Sequence, residues 1–124
     1  MILVDTSIWS SHFSHPNENL MELLKVGHAA CHPLVIAEIA CGTPPQRSKT
    51  LKGLNLIPQT NVATLSEVLE FIESERFFGR GCGFTDLSLL KSVMLTRDAK
   101  LWTADKRLAA LATEMQVLYV SPLH

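Results

Sequence analysis

Two short apolar runs in this sequence lead into carboxylates. Ile2-Leu3-Val4 stops at Asp5, and Leu101-Trp102-Thr103 is followed two residues later by Asp105. Runs this short and apolar read as fully buried strands of a parallel sheet. Open α/β sheets bind ligands outside the carboxyl ends of such strands, so two of them can deliver both carboxylates to one place. Asp86 falls in the first turn of a helical pattern, where the helix dipole favours negative charge by about 0.3–1 kcal/mol. Glu38 sits inside Pro33-Leu34-Val35-Ile36-Ala37-Glu38-Ile39-Ala40-Cys41, an otherwise apolar helix. A carboxylate there either lies on a narrow solvent edge or faces a cation, because burial without a partner is costly.

Four clustered carboxylates repel one another, so at least one pKa should rise and the titrations should couple. A divalent cation removes the conflict, and all-oxygen ligands suit Mg²⁺ or Mn²⁺. Such a site activates water and stabilises charge on a phosphoryl oxygen, which is nuclease chemistry. Any one of the four reads equally well as a helix cap or a surface charge. The repeated run-then-Asp pattern, with Glu38 inside an apolar helix, is what lifts the set above that reading. Relief of repulsion leads to the expectation that Asp5→Asn leaves metal-free stability unchanged or raised.

Thr6, Ser7 and Thr103 flank these carboxylates, and their hydroxyls either orient a carboxylate or bound water or serve as simple caps. The one Gly-rich loop, Gly79-Arg80-Gly81-Cys82-Gly83, lacks the GK[ST] of a nucleotide-binding P-loop. It either admits an RNA backbone or connects two helices. Arg80, Lys106 and Arg107 are the candidate phosphate contacts. His12, His15, His28, His32 and His124 lack HxxxH or HExxH spacing and are not expected as metal ligands. Cys31, Cys41, Cys82, Trp9 and Trp102 read as core residues, the tryptophans also as interface anchors. Asp98 reads as a turn residue.

The elements that must position these groups alternate. After the first strand, a helix carries Ile8, Trp9, His12 and Phe13 and stops at Pro16. A second spans residues 19–26 before Gly27. Residues 29–31 suggest a short strand, and Pro33 opens a helix over 33–41. A short helix over 46–53 and a connector or strand over 54–58 follow the Pro44-Pro45 break. Thr64 and Glu67 make a capping-box pattern, Thr85 is the expected cap of the helix bearing Asp86, and Asp105 opens a helix after the strand at 101–103. Residues 117–120 read as a last strand. The alternation implies an α/β fold with a mostly parallel sheet.

The 124 residues suit one domain, taken as residues 1–124, and the 47% hydrophobic content needs no disulfide scaffold. A formal charge of −1 excludes a disordered chain, a histone-like protein and an acidic tail. It hides an asymmetry: residues 1–75 carry −4, and residues 76–107 carry +4. A basic segment that contains Asp86 and Asp105 can hold a polyanion beside a metal, or simply form solvated helix faces. No apolar run reaches the roughly 18–20 residues of a membrane span, and the N-terminal sequence does not read as a secretory signal. Three cysteines without CxxC spacing suggest reduced thiols and a cytoplasmic protein.

Ile2-Leu3-Val4-Asp5-Thr6-Ser7-Ile8-Trp9 resembles the opening of a PIN-domain ribonuclease of the VapC toxin type. His32-Pro33-Leu34-Val35-Ile36-Ala37-Glu38 resembles that family's second motif. Residues 79–90, ending in Phe84-Thr85-Asp86-Leu87-Ser88-Leu89-Leu90, resemble the third, and Leu101-Trp102-Thr103-Ala104-Asp105-Lys106-Arg107-Leu108 the fourth. The likeness covers nearly the whole chain, in order. It implies a three-layer α/β/α sandwich with a mostly parallel, short-stranded central sheet. It implies an acidic quartet of Asp5, Glu38, Asp86 and Asp105, Mg²⁺- or Mn²⁺-dependent RNA cleavage without an organic cofactor, and a cognate antitoxin protein. A homodimer is also expected, since Trp9, Phe13, Phe77 and Phe78 must be placed in a small domain. Two positions depart from the pattern: Ala104 stands where relatives usually carry Arg, and Ser88 where many carry His.

The leading expectation is a metal-dependent endoribonuclease acting as the toxin of a toxin–antitoxin pair. The alternative is a PIN-like module that binds RNA or protein without cleavage. An aspartyl phosphotransferase, suggested by an apolar run before Asp-Thr, lacks the second Asp two residues on.

Overall fold

The structure is a computed structural model that describes residues 1–122. Its centre is a parallel sheet of β1 (Ile2–Val4), β2 (Ala29–Ala30) and β3 (Lys100–Trp102). The strand order is β2-β1-β3, with Leu3 opposite Ala30 on one side and Leu101 on the other. Leu3 and Val4 point to opposite faces, yet both are completely buried. Ala29, Ala30, Leu101 and Trp102 are buried as well, so helices cover both faces of the sheet. This is the expected sandwich.

Among the described residues, seven helices surround the sheet: α1 (Thr6–Ser14), α2 (Glu18–Lys25), α3 (Pro33–Ala40), α4 (Arg47–Leu56), α5 (Leu65–Glu75), α6 (Phe84–Met94) and α7 (Lys106–Glu114). Most start where a capping residue dictates. Asn17 accepts from the Leu20 N–H at 2.9 Å, and Thr64 and Glu67 form the full capping box. Gly27 takes φ +75 just past α2, a left-handed turn that glycine enters without strain. Asp98 turns the chain into β3 with φ 56. No helix among the described residues is long and apolar enough to cross a membrane.

Three boundaries differ from the sequence reading. The fourth helix runs on to Leu56, because Leu54 is 4% exposed and its burial draws the expected connector into the helix. The cap of α6 is Gly83, not Thr85, since the Asp86 carboxylate reaches back to the Gly83 N–H. Residues 117–120 form a single bridge rather than a strand. The Leu101 N–H donates to the Val117 carbonyl and the Tyr119 N–H to the Leu101 carbonyl, each at 2.8 Å. With β3 only three residues long, one register position is all that this edge offers. A matching bridge joins Cys31 to Gln59 on the other edge. Cys41 is exposed at the C-terminus of α3, not in the core, whereas Cys31 is buried and its thiol is pushed up to about 11 by that burial.

The start of α3 rests on His32, which is fully buried. Its Nδ1 accepts from the Leu34 N–H at 3.0 Å, which places the ring proton on Nε2, 3.0 Å from Ser92 Oγ. Ser92 Oγ in turn accepts from the Ala63 N–H at 3.0 Å and donates to the Ser88 carbonyl at 2.7 Å. The imidazole therefore caps α3 and pins it to α6 in one neutral tautomer. Burial lowers the His32 pKa below its ordinary 6.5. The unfolded chain then binds a proton before the folded one does, so stability present above about pH 6.5 is lost as the pH falls toward the lowered folded-state value. Urea denaturation should show this as a decline between pH 7.5 and 5.5. His32→Asn retains a cap acceptor but cannot reach Ser92. It should cost about 1–3 kcal/mol at pH 7.5 and flatten the His32 share of the decline.

Candidate active site

Asp5 ends β1 and caps α1 at once. Its N–H donates to the Trp102 carbonyl at 2.9 Å, continuing the β1–β3 ladder. Its carboxylate, only 6% exposed, takes three hydrogen bonds. Oδ1 accepts from the Thr6 N–H at 2.8 Å, and Oδ2 accepts from Ser7 Oγ at 2.9 Å and Thr103 Oγ1 at 2.7 Å. Those hydroxyls are oriented from behind. Ser7 Oγ accepts from the Ala104 N–H and Thr103 Oγ1 from the Asp105 N–H, each at 3.1 Å. Each hydroxyl has one proton, and a donor behind it directs that proton to Asp5.

The other three carboxylates stand on three different helices. Glu38 is exposed on α3, its Oε1 accepting from Thr6 Oγ1 at 2.6 Å, so the solvent-edge reading is correct and the edge faces α1. Asp105 caps α7, its Oδ1 taking the N–H groups of Arg107 and Leu108 at 2.9 and 3.0 Å. Asp86 sits in the first turn of α6, with Oδ2 at 3.4 Å from the Gly83 nitrogen. Its pKa is raised above the usual carboxylate value, by burial first and then by the charges of Asp5, Asp105 and Glu38, against the Gly83 hydrogen bond. The four carboxylates therefore share one electrostatic field. Thr6, Ser7 and Thr103 each touch a carboxylate directly.

Among the described residues, no three His, Cys, Asp or Glu side chains are gathered into a ready-made metal cage. Glu38 Oε2, Asp86 Oδ1 and Asp105 Oδ2 have no hydrogen-bond partner among the described residues. All-oxygen donors in a field that raises a carboxyl pKa fit Mg²⁺, which keeps several waters and needs only one or two direct carboxylates. His12, His15, His28 and His32 contribute nothing to this cluster, and His124 lies outside the described residues. Cys82 is the member that sequence reasoning did not anticipate. Half-buried near Asp86 and Asp105, its thiol is pushed up to about 11, by burial first and then by those two charges, which makes it a poor nucleophile.

The cations divide. Arg80 is committed: its guanidinium pairs with the Glu114 carboxylate and lies 5.8 Å from the centre of the Phe77 ring. Those contacts fasten the 79–83 loop to the end of α7. Lys106 and Arg107 are exposed and have no ion-pair partner among the described residues. The Arg107 side chain lies across Gly81, where an added Cβ would come within 2.5 Å of Arg107 Cδ. Gly81, at φ +86, is needed for its left-handed backbone, while the exposed Arg107 side chain can move aside for a Cβ.

No family model matches the chain. Individual curated proteins do. It is 47% identical over 117 residues, 94% of each chain, to Ribonuclease VapC32 of Mycobacterium tuberculosis strain CDC 1551 / Oshkosh, and equally to that of strain ATCC 25618 / H37Rv. The chain belongs to the VapC family of PIN-domain ribonucleases.

Within that family pattern, the two departures fall on either side of the cluster. At Ala104 the backbone N–H still serves Ser7, so the missing Arg side chain does not disturb the Asp5 network. Ser88, 2% exposed, has an Oγ without a hydrogen-bond partner. The network also reverses the expectation for Asp5→Asn in this VapC-family chain. An amide in place of Oδ2 faces two hydroxyls that donate to it, so the variant should lose about 1–3 kcal/mol. Asp86→Asn, which removes a disfavoured charge, should leave metal-free stability unchanged or raised. Urea melts of both variants in EDTA check the contrast.

Proposed function

We propose that this VapC-family chain is a metal-dependent endoribonuclease, the toxin of a toxin–antitoxin pair. The observation that carries the reading is the set of four carboxylates, two after β1 and β3 and two on α3 and α6, where Asp86 is raised by burial and then by the charges of the other three. A pure binding module has no use for four mutually repelling carboxylates. The relatives' name, Ribonuclease VapC32, supports the same reading.

Asp5, Glu38, Asp86 and Asp105 would hold Mg²⁺, or Mn²⁺ in its place. When bound, the metal lowers the pKa of a water and neutralises charge on the phosphoryl oxygens. Three hydrogen bonds fix the Asp5 carboxylate, whose negative charge attracts the cation. Thr6 orients Glu38, while Ser7 and Thr103 keep Asp5 from turning. Arg107 and Lys106, at the first turn of α7 beside Asp105, supply charge for flanking phosphates. Arg80 supports them indirectly by holding the 79–83 loop in place.

The partner side of the reading rests on surface chemistry. An apolar cleft of about 230 Å³, lined by Trp9, Phe13, Leu24, Leu54 and Ile57, suits a protein partner such as an antitoxin. Trp9 and Phe77 are buried, but Phe78, Phe84, Leu65 and Leu69 are each about half or more exposed, which supports a homodimer. A cytoplasmic location follows from an RNA substrate.

Cleavage of RNA should require Mg²⁺ or Mn²⁺ and stop in EDTA. Asp86→Asn and Asp105→Asn should reduce it by about 10²-fold or more while the protein stays folded, as judged by circular dichroism. Metal-independent cleavage, or full activity in both variants, would move the active site elsewhere. Arg107→Ala should weaken RNA binding and reduce the slope of log affinity against log salt by about one phosphate's share, whereas Arg80→Ala should chiefly lower stability.

A further inference from the structure

A cavity beside the carboxylates has no basic residue in its wall. It opens between α1, α3 and the loop after α3, has a volume of about 420 Å³, and includes Thr6 and Glu38 in its wall. The rest of the wall is uncharged: Ser10, Phe13, Ser14 and Thr43 give it three hydroxyls and an aromatic edge, and Ile39, Gly42, Pro44 and Pro45 close it. The hydroxyls of Ser10, Ser14 and Thr43 make no hydrogen bond among the described residues. No Lys or Arg lines it.

That composition selects a ligand. Without a Lys or Arg in its wall the cavity is not built for phosphate. A flat, neutral, hydrogen-bonding group suits it, and its volume is in the range of small-molecule sites. Unpaired bases are recognised by stacking on aromatic rings and by hydrogen bonds to their edges. The cavity is also continuous with the cluster, because Thr6 and Glu38 belong to both. On the helix, Thr6, Ser10 and Ser14 lie four residues apart and therefore on one face, leading away from Asp5.

We propose that this cavity is a nucleobase subsite that receives a base next to the scissile phosphate, with Ser10, Ser14 and Thr43 as specificity-determining residues. The proposal rests on the ribonuclease reading and adds to it the origin of base preference. Phosphates of the same strand run over Arg107 and Lys106, and the base turns the other way, toward α1 and α3.

The test uses the full chain and short synthetic RNAs that differ only in the nucleotide flanking the cut, one of them abasic there. In Mg²⁺, wild type should cleave the best base at least about tenfold faster than the abasic RNA, as kcat/KM. Thr43→Val and Ser14→Ala should each shrink that ratio by about three- to tenfold, the value of one lost hydrogen bond. Both positions are exposed, so unchanged melting temperatures accompany the result. Equal cleavage of intact and abasic RNA by wild type, or an undiminished ratio in both variants, would overturn the subsite. So would variants that lose affinity for a protein partner with base preference intact, since the cavity would then be a peptide site. Anisotropy of the same labelled RNAs in Ca²⁺ separates this from the enzymatic reading. Base-dependent affinity that falls in the variants supports the subsite even where no RNA is cut, and base-independent affinity refutes it.

Discussion

The rest of the site depends on how the Asp5 carboxylate is held. Two strand ends meet there, and side chains extend the join beyond the last ladder bond, Asp5 N–H to the Trp102 carbonyl. The Ala104 and Asp105 amides point at Ser7 and Thr103, which point at Asp5 Oδ2. A sheet of three strands with two or three residues each offers few backbone bonds to fix its carboxyl edge. Charge-assisted hydrogen bonds to a largely buried carboxylate are stronger than neutral ones, and here they add rigidity where the ladder ends. Asp5 is therefore a structural keystone first, and its charge then sets the potential felt by Asp86, Asp105 and Glu38.

That arrangement explains how crowded carboxylates coexist. Each has its own donor: Asp5 and Asp105 cap the helices they precede, Asp86 reaches back to Gly83, and Glu38 has the Thr6 hydroxyl from α1. Helix N-termini carry partial positive charge, which offsets part of the repulsion. What remains unbalanced appears at Asp86, the half-buried member with a single weak donor.

Much of this was legible in the sequence because the signals were local. A run of apolar residues ending at Asp, a proline at the start of α3 and the Thr64–Glu67 capping box each encode their structure within a few residues. The acidic set was legible for the same reason, since strand ends and first turns dictate where Asp5, Asp86 and Asp105 go. The rest depended on contacts distant in the chain. The pairing of Arg80 with Glu114 joins residues 34 apart and left no local signal. His32 looked inert until Ser92 was placed against it, 60 residues on. The extension of α4 to Leu56 and the reduction of residues 117–120 to a bridge were decided by burial and by the shortness of β3, neither of which a local pattern records.

The bond from Thr103 to Asp5 spans 98 positions of the chain. During synthesis on a ribosome, Asp5 leaves the exit tunnel long before Thr103, Ala104 and Asp105 are made. β1 has no β3 to pair with until then, and the helices that follow it lack their central support. The growing polypeptide consequently carries all of its early acidic residues without an assembled centre, and acquires one only when nearly complete. This order of events delays assembly of the carboxylate cluster until synthesis is almost finished.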